Sequence, residues 1–293
     1  MKNISFNLSG KIDPLFVDVI SLIDREAAGL GIPFFIVGAM ARDIVLELCY
    51  QLPARRSTRD LDIGVEVAGW EEYQRLSMAL VSSGKFVSGR APHILKYGEL
   101  RVDIVPFGEI SADQRSITWP PDHTVVMNIL GFKEAYDHSL EIQVHDNPIL
   151  VVKVPTVPGM ALMKIISWHD MYPERQKDAE DLLFIMDHYA HAGNEDRLFG
   201  PEIDIMEQEG FDLAMAGIRL LGRDMAYMAT VDTRKQVMEI LAEELDDPSN
   251  HHLIMDMVRP SYLESKRFEE VRSMLERLRQ GFVGVYKEHL WRS

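Results

Sequence analysis

One cysteine, Cys49, stands among 293 residues. A single thiol excludes an intramolecular disulfide framework and a cysteine-built zinc cluster, and it points to a reducing interior. Cations are also short: 31 Lys and Arg stand against 46 Asp and Glu, a formal charge of −15. That balance argues against coating duplex DNA or an anionic membrane with a broad basic face, although a local basic groove is compatible with it. No stretch approaches the roughly 20 apolar residues of a membrane span. The opening residues, MKNISFNLSGKIDP, lack the apolar run of a secretory signal. Internal repeats, low-complexity tracts and the Walker A, kinase and G-x-S-x-G signatures are missing too. The expectation is a cytoplasmic globular protein with no membrane partner. Its 46% hydrophobic and 26% charged residues suit one, and the length suits about two domains.

What is present alternates between helix and strand. Asp13-Pro14 reads as an N-cap and a first-turn proline, followed by Leu15, Val19, Leu22, Ile23 and Ala27 at helical spacing, with Gly29 and Gly31 as stops. Residues 33–37 form a short apolar strand broken by Gly38. A helix over 39–48, a loop over 50–58, a strand over 61–67 and a helix over 70–81 follow. Strands are expected near 94–97 and 100–106, and the apolar runs 125–130 and 140–144 suggest a hairpin. Past Pro155 and Pro158, helical stripes cover 160–169 and 179–189, and nearly everything after 195 reads as helix. Residues 195–256 hold 15 acidic and 5 basic side chains, a net of −10. Residues 260–293 read as one or two closing helices. The pattern predicts an α+β chain: a small mixed sheet with flanking helices over 1–155, then a mainly helical domain over 156–293.

Three carboxylates carry the chemistry. Asp60 and Asp62 flank Leu61 at a strand start, so both point to one face. Asp103 lies inside the apolar strand Leu100–Val105, where an unpaired acid is costly. If the two strands are neighbours, the three converge. Such a cluster repels itself without a cation, and its all-oxygen ligand set suits Mg²⁺ or Mn²⁺. Singly, each has a plainer explanation: D-x-D commonly ends a strand in solvent, and Asp103 could pair with Arg101 or Arg59. What raises the combination above its parts is Val37-Gly38-Ala39-Met40-Ala41-Arg42-Asp43, a glycine at a strand-to-helix junction about twenty residues earlier. Such a junction is a ready site for nucleotide phosphates.

On these residues the chain resembles the nucleotidyltransferase superfamily, whose members carry an hG[GS] turn, a D-x-D strand and a third strand Asp. Phe35–Ala39, Asp60-Leu61-Asp62 and Asp103 match in turn. Within it, the chain is similar to the AbiEii/AbiGii-type toxin nucleotidyltransferases, over roughly residues 30–190. Lys164, Arg175 and Lys177-Asp178 correspond to the family's later Lys, Arg and Lys-Asp elements. Ala39 departs from the usual Ser or Gly, and it leaves only its backbone N–H for a triphosphate.

The resemblance implies an enzyme. Asp60, Asp62 and Asp103 would hold Mg²⁺ or Mn²⁺, and Gly38, Ala39 and Arg42 would cradle a nucleoside triphosphate. Lys164 would meet its phosphates, with Asp178 as a further binding residue. The acceptor is an RNA 3′ end, such as that of tRNA, or a protein hydroxyl, and a toxin role implies a cognate antitoxin. Each of these residues has a structural alternative. Arg42-Asp43 can be a local ion pair, Lys164 can snorkel from an apolar face, and Asp178 with Asp181 can form an exposed i,i+3 network. Two other readings stand beside the toxin enzyme. One is a head domain of the CCA-adding or poly(A) type, though no R-R-D-F-like segment follows. The other is a degenerate nucleotide-binding module acting through a protein partner.

Overall fold

The computed structural model describes residues 4–52, 60–247, 249–258 and 268–290. Arg55, Arg56, Arg59 and most of the expected 50–58 loop lie outside them. The chain forms two compact units, Met1–Thr156 and Val157–Ser293.

The first unit begins with β1 (Phe6–Asn7) and α1 (Pro14–Leu30). The Asp13 side chain accepts from Leu15 N at 2.8 Å, and Gly31 closes α1 in the left-handed conformation. Then come β2 (Phe34–Val37), α2 (Gly38–Arg42), β3 (Asp60–Glu66), α3 (Trp70–Ser82), β4 (Val87–Ser88), β5 (Ile94–Tyr97) and β6 (Leu100–Phe107). These strands form one sheet in the order β2-β3-β6-β5-β4, in which only β3 and β6 are parallel. The period of two divides the central strands cleanly. Leu61, Ile63 and Val65 of β3, with Val102 and Ile104 of β6, are fully buried on one face. The other face carries Asp60, Asp62, Gly64 and Glu66 on β3, and Arg101, Asp103, Val105 and Phe107 on β6.

Among the described residues, that second face carries an aromatic cover at one end and is open at the other. Phe35, opposite Gly64 in the register, lays its ring over β3 and stacks edge-on with Phe107 at 5.4 Å and Tyr136 at 5.6 Å. A Cβ on Gly64 would overlap that ring, so the glycine makes room for the aromatic. Tyr136 comes from α4 (Phe132–Asp137), which follows the small β7 (Ser116–Thr118) and β8 (Val126–Asn128) pair. β9 (Leu140–Asp146) and β10 (Ile149–Val154) form a separate hairpin edged by β1.

Two expectations need correction. The 125–130 run does not pair with 140–144: α4 separates them, and each finds a nearer partner, β7 for β8 and β10 for β9. The helix expected over 39–48 is α-helical only to Arg42 and π-helical over Asp43–Cys49, with Tyr50 N donating to Val45 O. Met40, Ala41, Arg42, Ile44, Val45 and Leu46 are all buried there. A regular α-helix exposes part of such a run, and the wider turn accommodates it.

The second unit is helical: α5 (Val157–Asp170), α6 (Gln176–His188), α7 (Glu195–Leu198), α8 (Ile203–Gln208), α9 (Leu213–Met228), α10 (Val231–Asp246), α11 (His252–Val258) and α12 (Phe268–Leu290). No described helix is long and apolar enough to cross a membrane. Its tightest crossing joins α9 and α12. A Cβ on Gly222 would overlap the Leu278 carbonyl oxygen, and one on Gly281 would overlap that of Arg219. Backbone meets backbone at both points, so no rotamer change can relieve an added methyl. Gly222→Ala should therefore cost about 1–3 kcal/mol through overpacking. Urea unfolding would show a lower midpoint at unchanged slope, and an unchanged midpoint would refute the crossing.

Candidate active site

The parallel register sets Asp62 of β3 beside Asp103 of β6, and Asp60 beside Arg101. Neighbours in register share a face, so all three sequence-identified carboxylates and one arginine lie together at the open end of the sheet. Asp60 is exposed, whereas Asp62 and Asp103 are half-buried.

Gly38 explains the turn beside them. Val37 pairs with Asp62 across β2 and β3, and Gly38 then leaves the strand at φ +67° to start α2. A Cβ at Gly38 would overlap the Asp62 carboxylate, its distance to Cγ being only 2.8 Å. The glycine serves two ends, permitting positive φ and allowing the carboxylate to lie against the chain. Ala39, half-buried, occupies the first turn of α2, which receives no side-chain cap.

Asp103 is engaged. Arg101 Nε donates to its Oδ1 and Nη2 to its Oδ2, both at 2.7 Å. This hydrogen bonding raises the arginine's pKa; partial burial opposes the shift, and Asp60 and Asp62 add to it. The pairing of Asp103 with Arg101, one of the plainer alternatives, is therefore present within the carboxylate group itself. Among the described residues, no set of three or more His, Cys, Asp or Glu side chains is arranged ready to hold a metal ion. The donor chemistry nonetheless fits a hard cation: the three carboxylates share one face and offer oxygen ligands alone.

The other cations named from the sequence sit differently. Arg42 is 5% exposed, and its Nη2 meets Asp43 Oδ1 at 2.6 Å, with Nε at 2.9 Å. In the second unit, Lys164 does not snorkel. Its Nζ lies 2.6 Å from Asp178 and 2.8 Å from Asp181, both buried, and Arg175 Nε adds 2.7 Å to Asp178. The exposed network expected for Asp178 and Asp181 is thus a buried one, because the lysine enters from α5 and ties it to α6. Burial opposes both charges, but the partners prevail: the Lys164 pKa is raised and that of Asp178 lowered. Lys96, on β5 opposite Arg101, is an exposed cation that periodicity alone did not single out, although the alternation in Ile94-Leu95-Lys96-Tyr97 places it on this face. The Cys49 thiol is pushed up to about 12 by burial, with Lys11 opposing, and so is no nucleophile at neutral pH.

A glycine turn set against two in-register acidic strands is the arrangement expected from the nucleotidyltransferase resemblance. The sequence profile described as nucleotidyl transferase AbiEii toxin, type IV toxin–antitoxin system, matches residues 21–253, and the chain belongs to that family. No curated protein matches the sequence. Among solved structures, ANT(2″)-Ia in complex with adenylyl-2″-tobramycin is similar at 14% identity and a TM-score of 0.36, over 67% of this chain and 97% of that one. The Thermotoga maritima CCA-adding enzyme complexed with tRNA is similar at 15% identity and a TM-score of 0.27, over 96% and 83%.

Two outcomes are expected. Gly38→Ala should cost about 1–3 kcal/mol through left-handed strain, with a further steric part from Asp62. A double-mutant cycle with Asp62→Ala should recover only the steric part, and strict additivity of the two midpoints would contradict the contact. Lys164→Met should cost about 3–5 kcal/mol by stranding buried carboxylates. Asp178 contributes stability that is complete above the ordinary carboxylate pKa and lost as pH falls through its depressed folded value. Lys164 contributes stability that is complete below the ordinary lysine pKa and lost as pH rises through its raised folded value. The variant's stability–pH curve should lose that alkaline decline; an alkaline limb like the wild type's would refute the tie.

Proposed function

We propose that the open end of the sheet transfers a nucleoside monophosphate from a nucleoside triphosphate to an acceptor hydroxyl in a divalent-metal-dependent reaction. The observation that carries this reading is the register of Asp62 with Asp103, with the Gly38 turn against Asp62. Asp60, Asp62 and Asp103 would hold Mg²⁺ or Mn²⁺. When bound, such ions supply Lewis-acid stabilisation of the attacking and leaving oxygens.

The chain's own residues do the rest. Gly38 and Ala39, at the start of α2, would offer backbone N–H groups to a phosphate. Arg101 and Lys96 keep positive charge on a face that three carboxylates would otherwise make repulsive to a triphosphate. Arg42 is engaged by the half-buried Asp43 and Lys164 by the buried Asp178 and Asp181, so phosphate contact falls to the exposed cations of the sheet. The acceptor is an RNA 3′ end, as for tRNA, or a protein hydroxyl. Membership of a type IV toxin family supports a cognate antitoxin as partner.

The test supplies the purified protein with each α-labelled triphosphate, Mg²⁺ or Mn²⁺, and total RNA or cell protein. Label should pass to one acceptor class and depend on the divalent ion. Asp62→Asn should abolish transfer by at least about a hundredfold while leaving the thermal midpoint unchanged or raised, because it removes like-charge repulsion. Triphosphate binding with no pyrophosphate release by the wild type would favour the binding-module reading instead.

A further inference from the structure

We propose that Arg101 is the internal counter-cation of the carboxylate face, and that a divalent ion gains Asp103 only by displacing it. This rests on the reading of Asp60, Asp62 and Asp103 as the metal-holding group. The fork geometry is the first ground. Arg101 occupies both oxygens of Asp103, one through Nε and one through Nη2. An ion needs at least one of those oxygens, and the guanidinium's positive charge crowds both, so arginine and ion compete for the same carboxylate.

The second ground is position. Arg101 is the register partner of Asp60, and the row above holds Asp62 and Asp103. Among the described residues, the Arg101 guanidinium therefore stands beside carboxylates that repel one another in the metal-free protein. A guanidinium does not deprotonate, so the competition is relieved only by swinging the side chain away. Exposure favours that exit: the arginine side chain is 45% exposed and that of Asp103 only 17%. The arginine can reach water while the carboxylate stays.

The proposal separates specific competition from a general field because Lys96, beside Arg101 in the β5–β6 register, puts a second cation on the same face. Lys96→Gln removes equal charge nearby without removing the fork on Asp103.

Manganese alone, titrated against the full chain without nucleotide and read by the resonance signal of free Mn²⁺, tests it. Arg101→Gln should bind Mn²⁺ about tenfold more tightly than wild type. Lys96→Gln should change affinity less than about threefold, since an exposed charge is screened. Asp103→Asn should bind more weakly. In the absence of Mn²⁺, Arg101→Gln should also unfold at a lower temperature than wild type, and Mn²⁺ should raise its midpoint by more. Equal affinity of Arg101→Gln and wild type, with Asp103→Asn still weakened, overturns the proposal and leaves the metal site standing. An equal gain in Lys96→Gln and Arg101→Gln also overturns it, in favour of a general field. If neither Asp62→Asn nor Asp103→Asn weakens Mn²⁺ binding, or no form binds Mn²⁺, the metal reading fails and the proposal falls with it.

Discussion

The parallel pairing of β3 with β6 is the constraint on which the first unit depends. Parallel strands need a crossover, and α3 with the β4–β5 strands supplies it. Once the pairing is made, its register fixes everything on both faces. A slip of one residue would turn one strand over, sending Asp62 or Asp103 into the apolar layer and bringing Leu61 or Val102 out of it. The cost of burying those carboxylates beside Ile63 and Ile104 makes the register self-enforcing. The same pairing that closes the core thus also assembles the acidic face.

The face is divided along its length by side-chain size. At one end Gly64 admits the Phe35 ring, and Phe107, Phe132 and Tyr136 complete an aromatic cover. At the other end, among the described residues, the face carries the short Asp60, Asp62 and Asp103 side chains instead. The helical unit solves a related problem by different means. Several of its carboxylates are met by basic groups, Asp178 by Lys164 and Arg175, Asp224 by Arg197, and Glu209 by Arg219 and Arg277, whereas the buried Asp256 accepts from Trp168 Nε1 and Glu244 from Leu253 N.

Much of this was legible in the sequence. The Asp13-Pro14 cap, the strand over 34–37, the D-x-D strand and the strand around Asp103 rest on local signals, and each was visible as one. The glycine break and the two acidic strands also stood out as the candidate site before any pairing was known. What local pattern could not carry was partner choice. The run at 125–130 looks equally ready to pair with either neighbour, and only α4 decides. The π-helical turn was hidden because its consecutive buried residues arise from tertiary packing rather than period. Lys164, Asp178 and Asp181 were recognised as a motif, yet their burial depends on α5 and α6 meeting, which no spacing within either helix reveals. Lys96 was passed over for a similar reason: its significance is a neighbour on another strand.

The direction in which the arginines of the helical unit point has an outward consequence. Arg197, Arg219 and Arg223 are three of the five cations between 195 and 256, and each is turned onto an acid of that same segment. Charge cancelled in the interior is not available to the field outside. The helical unit therefore meets its surroundings through surplus carboxylates, clothed in a dense atmosphere of small cations from solution. A basic partner settling there would release those ions, and much of its attraction would come from the entropy of that release, fading as the salt concentration rises.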